Sequence, residues 1–74
     1  MSRLPQVSGR DVIRALKQIG YEQDHQRGSH IVLRMTQPPH RRLTVPAHNP
    51  IAKGTLRAII REAGLTIDEF VALL

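Results

Sequence analysis

The sequence has no cysteine and no tryptophan, and only two aromatic residues, Tyr21 and Phe70, in 74 residues. Without cysteine, neither a disulfide nor a thiolate zinc site can stabilise the chain. Two aromatic residues are too few for a base-stacking platform. No apolar stretch approaches the roughly 20 residues that cross a membrane, and the first residues lack the hydrophobic segment of a secretory signal. We therefore expect one domain, residues 1–74, that is soluble, cytoplasmic and not associated with a membrane.

Several kinds of catalytic site are also missing. The sequence contains no glycine-rich phosphate loop and no recognisable nucleophile triad or carboxylate pair. The four histidines are at positions 25, 30, 40 and 48, without the four-residue helical spacing that is typical of metal ligands. We therefore expect no metal site and no small-molecule cofactor.

Positive charge is the first indication of function. Eleven Lys and Arg against six Asp and Glu give a net charge of +5, with an isoelectric point of about 11.2. Such a field around a small domain favours polyanionic partners. Most of the basic residues are arginines, whose forked guanidinium suits phosphate recognition. The charge therefore predicts contact with nucleic acid, although regular charge along a helix is more often only a solvated surface.

The N-terminal part of the chain has the signals of an amphipathic helix. Ser8 and Asp11 have the spacing of a capping box, and apolar residues then recur at helical spacing as far as Ile19. Gly20 can end the helix in a left-handed conformation. We predict a helix over residues 9–19.

The C-terminal third is also predicted to be helical. An apolar stripe begins at Leu56 and ends at Gly64, and Leu65 lies where a Schellman-type contact with Ile60 is expected. A second capping box, starting at Thr66, opens a last short helix. The buried side of that helix is predicted to consist of Ile67, Phe70, Val71 and Leu74.

Three strands are predicted between the helices. The first is residues 21–26, followed by a turn at Arg27 and Gly28. The second, residues 30–36, and the third, residues 41–45, alternate between apolar and polar positions.

A sheet with one apolar face needs a cover, which two amphipathic helices provide. We therefore predict an α+β fold, α-β-β-β-α, with a three-stranded antiparallel sheet and both helices on one face, which is the topology of a double-stranded-RNA-binding domain. The open face is predicted to carry His30, Val32, Arg34, Arg42 and Thr44.

His30 is the strongest candidate for catalysis. It follows Gly28 and Ser29 at a hairpin tip, where small residues let a phosphate approach the backbone. A histidine among arginines suits RNA scission by the ribose 2′-OH, because one general base with cationic stabilisation is sufficient. From these residues alone, a solvated histidine without a role remains the more common case. His48 could be a general acid or a phosphate ligand near the second helix, or a structural residue of its loop, and His25 and His40 are interpreted as ordinary polar residues.

The sequence resembles the HicA toxin family. The resemblance rests on Gly28-Ser29-His30, on the run from Leu43 to His48, on the run from Lys53 to Leu65 and on Glu69-Phe70, and it extends over nearly the whole chain. It implies a ribonuclease that acts on mRNA, a HicB-type antitoxin as partner, and His30 as the catalytic histidine. The alternative is a non-catalytic module that binds structured RNA. The residues predicted to contact RNA are Gly28, Ser29, Arg34, Arg42, Lys53, Thr55, Arg57 and Arg61.

Overall fold

The computed structural model describes residues 3–74, which form three helices and one sheet in the predicted order. The helices are α1 (Gly9–Lys17), α2 (Lys53–Glu62) and α3 (Ile67–Ala72), and the strands are β1 (Tyr21–Arg27), β2 (His30–Met35) and β3 (Arg42–Pro46).

The predicted cap of α1 is confirmed. The Ser8 hydroxyl accepts a 3.2 Å hydrogen bond from the Asp11 amide, and the Asp11 carboxylate accepts one of 3.1 Å from the Ser8 amide. Hydrogen bonding to the Asp11 carboxylate, chiefly from the Ser8 amide and then from the Ser8 side chain, holds the pKa of Asp11 below its usual range. The helix ends at Lys17, two residues earlier than predicted, and Gly20 has the left-handed conformation, with φ of 106°.

The sheet is antiparallel with strand order β1-β2-β3, which confirms the predicted topology. The strand boundaries differ from the predicted ones by one residue at four ends. Arg27 is the last residue of β1 rather than part of the turn, Thr36 lies outside β2, and β3 runs from Arg42 through Pro46 instead of from 41 to 45. Pro46 can be the last residue of β3 although it has no amide donor. β3 lies at an edge of the sheet, where a missing donor is tolerated.

The core lies between the helices and one face of the sheet. The alternate residues Ile31, Leu33, Leu43 and Val45 are buried, and they belong to the same apolar cluster as the buried residues of all three helices. The helices therefore cover the predicted apolar face and leave the other face open. Tyr21 also lies in this cluster, and burial raises the pKa of its phenol.

The end of α2 forms the predicted Schellman motif. The Leu65 amide donates to the carbonyl oxygen of Ile60 at 3.1 Å, and the Gly64 amide donates to that of Arg61 at 3.0 Å. Gly64 has a φ of 76°, which strongly favours glycine. The second capping box, between Thr66 and Glu69, is present at the start of α3.

The predicted buried side of α3 is wrong in part. Phe70 is fully buried and Ile67 is half-buried, but Val71 is 42% and Leu74 53% exposed. Leu73 packs against the core instead. Successive helical residues are separated by about 100°. Ile67 and Leu73, three positions on either side of Phe70, therefore share its face, whereas Val71 is turned away.

Candidate functional site

His30 lies at the tip of the β1–β2 hairpin, where Gly28 and Ser29 form the two-residue loop. Gly28 has a φ of 57°, as the first position of such loops requires, and apart from its two chain neighbours no residue comes within 4 Å of where its side chain would begin. His30 is exposed, while its neighbour Ile31 is buried in the core. The His30 side chain therefore lies on the open face, as predicted, beside an uncrowded backbone.

Arg27 is the arginine nearest to His30 in the sheet register, and sequence reasoning missed it. The two residues pair directly across the hairpin. Directly opposed residues of an antiparallel pair project from the same face, with Cβ atoms roughly 4.5–5.5 Å apart. The two-residue loop could have predicted this pair. If Gly28 and Ser29 form the loop of the hairpin, the residues on either side of them, Arg27 and His30, must pair.

Arg34 and Arg42 share the open face with His30 but lie at the other end of β2. They pair with each other, whereas His30 pairs with Pro46. Four residues of strand separate His30 from Arg34, about 13 Å at roughly 3.3 Å per residue. Thr44 pairs with Val32, so it is a diagonal neighbour of His30.

A β-bulge in β1 gives the open face a second histidine. Gln23 pairs with Leu33 and His25 with Val32, so Asp24 is the extra residue between them. The bulge explains why Tyr21 lies in the core while His25 and Arg27 lie on the open face, which strict alternation from Tyr21 would not allow. The Asp24 carboxylate lies 3.1 Å from Nδ1 of His25 and 4.0 Å from Nε of Arg42. The interpretation of His25 as an ordinary strand residue overlooked this pair.

His48 is on the helix side of the sheet. It lines a groove of about 620 Å³ between α1 and the hairpin, and His30 does not line that groove. The His48 carbonyl oxygen accepts a 2.9 Å hydrogen bond from the Gly9 amide, so the loop lies against the start of α1. Other residues around the groove include Arg10, Lys17, Gln23, Gln26 and Asn49.

The predicted RNA-contacting residues of α2 form a separate surface. Lys53, Arg57 and Arg61 recur every four residues along one flank of α2, and they are exposed, as is Thr55. Because α2 packs on the core face, this flank does not share the open face with His30, Arg34 and Arg42. The candidate RNA-binding residues are therefore divided between the two sides of the sheet.

Among residues 3–74 there is no group of three or more His, Cys, Asp or Glu side chains that could hold a metal ion. In the same part of the chain, none of the helices has both the length and the apolar character to span a bilayer.

A family model described as the HicA toxin of bacterial toxin-antitoxin systems matches residues 9–65, from the start of α1 to the residue after Gly64. A search of curated proteins gives no significant match.

Proposed function

Since this chain belongs to the HicA family of toxins of bacterial toxin–antitoxin systems, we propose that it is an endoribonuclease that cleaves mRNA without a metal ion, with His30 as its general base. The supporting observation is the pairing of His30 with Arg27 on the open face, at a hairpin tip that leaves the backbone accessible.

The chemistry follows from the nucleophile that RNA itself carries. The neutral His30 imidazole removes the proton of a ribose 2′-OH, and the 2′-oxygen attacks the adjacent phosphorus. The Arg27 guanidinium binds a non-bridging phosphate oxygen and stabilises the charge that develops in the transition state. The bond to the 5′-oxygen then breaks and that oxygen takes up a proton, which leaves a 2′,3′-cyclic phosphate and a 5′-OH. No step of this reaction requires a metal or an organic cofactor.

The partners follow from charge and family. The net charge of +5 attracts the RNA backbone. Gly28 and Ser29 let the phosphate approach His30, while Arg34 and Arg42 bind backbone farther along the open face. A HicB-type antitoxin neutralises the toxin, and the toxin acts in the cytoplasm, where its mRNA substrate is.

A second candidate is a module that binds structured RNA without cutting it. The basic flank of α2 with Lys53, Arg57 and Arg61 favours it, because that surface lies away from His30 and does not need it. Loss of His30 should leave such binding intact.

The two functions are separated by digestion of a labelled RNA with the purified protein and with His30→Ala. We expect the wild-type protein to give 2′,3′-cyclic phosphate (or 3′-phosphate) and 5′-OH ends, unchanged by EDTA, and the variant to give none. Cleavage that depends on a metal and leaves 3′-OH ends would contradict the mechanism. Binding by both proteins without cleavage would favour the second candidate.

A further inference from the structure

The pairing of Asp24 with His25 determines which nitrogen of the His25 ring is available to a ligand. An ionised carboxylate can only accept hydrogen bonds, so Nδ1, 3.1 Å from Asp24 Oδ2, is the donor. Nε2 is then the nitrogen directed away from the carboxylate. Arg42 lies near the same Asp24 oxygen, at 4.0 Å, and contributes to holding the carboxylate in place.

His25 is a diagonal neighbour of His30 on the open face. His25 pairs with Val32 and Arg27 pairs with His30, so these four residues form the corners of one patch. Diagonal residues of an antiparallel pair lie roughly 7–8 Å apart. The patch thus has an imidazole at two opposite corners, a guanidinium at the third and a half-buried valine at the fourth.

This spacing fits a phosphodiester between the two imidazoles. In an in-line reaction the attacking and leaving oxygens are on opposite sides of the phosphorus. Each must lie about 2.6–3.2 Å from the group that takes or gives its proton. Two groups on opposite sides of one phosphate are therefore separated by several ångströms, as diagonal sheet positions are.

We propose that His25 is the general acid of the cleavage reaction, a role that rests on the function proposed above. His30 accepts the proton of the 2′-OH as the bond from the 2′-oxygen to phosphorus forms. As the bond from phosphorus to the 5′-oxygen breaks, His25 gives its Nε2 proton to that oxygen, which leaves as a neutral hydroxyl. His25 ends neutral and His30 protonated, and proton exchange with water restores both. Asp24 is a positioning residue that holds the His25 ring through Nδ1.

The charges around His25 are mixed. On β1 it is flanked on the open face by Glu22, Asp24 and Arg27, and β2 and β3 add His30, Arg34 and Arg42. Asp24 is the one that contacts the ring directly. The acid must be protonated and the base neutral, so the cleavage rate should fall at both low and high pH, and the fall at high pH belongs to His25.

The test uses one oligoribonucleotide in two forms. The first is ordinary RNA that contains a linkage mapped as a wild-type cleavage site. The second carries sulfur in place of the 5′-bridging oxygen at that linkage, so its leaving group is a thiolate that departs without a proton. Wild type, His25→Ala, Asp24→Asn and His30→Ala are compared under single turnover, with Glu22→Gln as control because it lies on the same strand and face but opposite Arg34. Circular dichroism checks that each variant is folded.

We expect His25→Ala to cleave ordinary RNA at least about 100-fold more slowly than wild type, the low end for losing a general acid. It should cleave the sulfur-containing RNA within a few-fold of the wild-type rate and lose the fall in rate at high pH. Asp24→Asn should show a smaller defect with the same rescue by sulfur. His30→Ala should be impaired on both RNAs, and Glu22→Gln on neither.

Two results would overturn this role. One is a His25→Ala variant that cuts ordinary RNA at the wild-type rate, and the other is an equal loss on both RNAs, which would make His25 a binding residue. Both differ from a failure of the proposed function, in which the wild-type protein cuts neither RNA and His25 has no reaction to serve.

Discussion

The carbonyl oxygen of Ser29 accepts a 2.6 Å hydrogen bond from the amide of Ala47. This bond ties the residue before His30 to the residue after Pro46, just beyond the pair that His30 and Pro46 form in the sheet. The backbone at His30 is therefore held by its neighbours on both sides, and its side chain is free to face solvent. Chemistry and folding should be separable at this position.

His30→Ala should change the free energy of unfolding by no more than about 0.5 kcal/mol, because the side chain is exposed and its loss creates no cavity. RNA affinity and binding of a HicB-type antitoxin should persist, since arginines supply most of the attraction. Cleavage, and growth arrest on expression, should fall at least about 100-fold. Denaturant unfolding and RNA digestion measure the two effects. A variant that unfolds would make His30 structural, and one that still cuts would move the chemistry elsewhere, with His48 as the next candidate.

Arg27 and Arg34 offer a matched comparison on the open face. Arg27 pairs with His30, whereas Arg34 lies about 13 Å from His30 along β2. Arg27→Gln should lower kcat by about 10- to 100-fold, because its charge is needed where the phosphate gains charge. Arg34→Gln should weaken RNA binding and leave kcat within about two-fold. Equal effects of the two substitutions on kcat would show that the position of Arg27 beside His30 has no special importance.

The basic flank of α2 should act through binding alone. Neutralising Lys53, Arg57 or Arg61 singly should weaken RNA binding across sequences and reduce the slope of log K against log salt by about one. Affinity measured over a series of salt concentrations is the test. Unchanged affinity and slope for the triple variant would mean that these charges serve only solvation.

Local signals along the chain predicted much of the fold. The Ser8 and Thr66 capping boxes and the glycine at 64 each depend on a few neighbouring residues, so the chain sequence contains all the information that their geometry needs. The alternation of β2 and β3 likewise predicted which face would hold His30, because a half-buried strand has a period of two.

The arrangement around His30 was harder to predict. The bulge at Asp24 depends on how β1 aligns with β2. In this alignment Tyr21 lies in the core and Arg27 lies opposite His30, which is possible only with one extra residue between them. The bulge therefore follows from the pairing of the two strands and cannot be predicted from either strand alone. Arg34 and Arg42 are on the predicted face of the sheet, but they lie at the end of β2 far from His30. Alternation along a strand predicts which face a side chain occupies, but it does not predict how far apart two side chains on that face are. The predicted buried side of α3 was wrong for Val71 because this short helix packs on the core through one face. Ile67, Phe70 and Leu73 form that face, and Val71 lies outside it.

The capping box of α1 makes stability depend on pH at the acid end. The folded-state pKa of Asp11 is lowered, so its contribution is fully present above the ordinary carboxyl pKa and is lost as pH falls through the lower folded-state value. Asp11→Asn should therefore lose more stability at pH 6 than at acid pH, once the pH is low enough to protonate the wild-type carboxyl as well. Thermal unfolding of both proteins across that range tests it. A constant difference at all pH values would contradict the assignment.

Three glycines differ in whether a side chain would be crowded and in whether the backbone conformation requires glycine. A side chain at Gly9 would collide with the carbonyl oxygen of Pro46, because α1 begins directly against the end of β3. Gly54, near the start of α2, and Gly64, after its end, both have open space around them, but Gly64 has a φ of 76°. The same substitution to alanine therefore probes three different situations.

Gly9→Ala should destabilise the fold by at least about 2 kcal/mol, because the collision is with backbone that cannot rotate away and the helix start must shift from β3. Gly64→Ala should cost about 1 kcal/mol for the left-handed conformation alone. Gly54→Ala should stabilise by about 0.5 kcal/mol, since alanine restricts the unfolded chain and meets nothing in the folded one. Urea unfolding of the three variants gives the order directly. If Gly9→Ala were as stable as Gly54→Ala, the close approach of α1 to Pro46, and with it the placement of the His48 loop against α1, would be wrong.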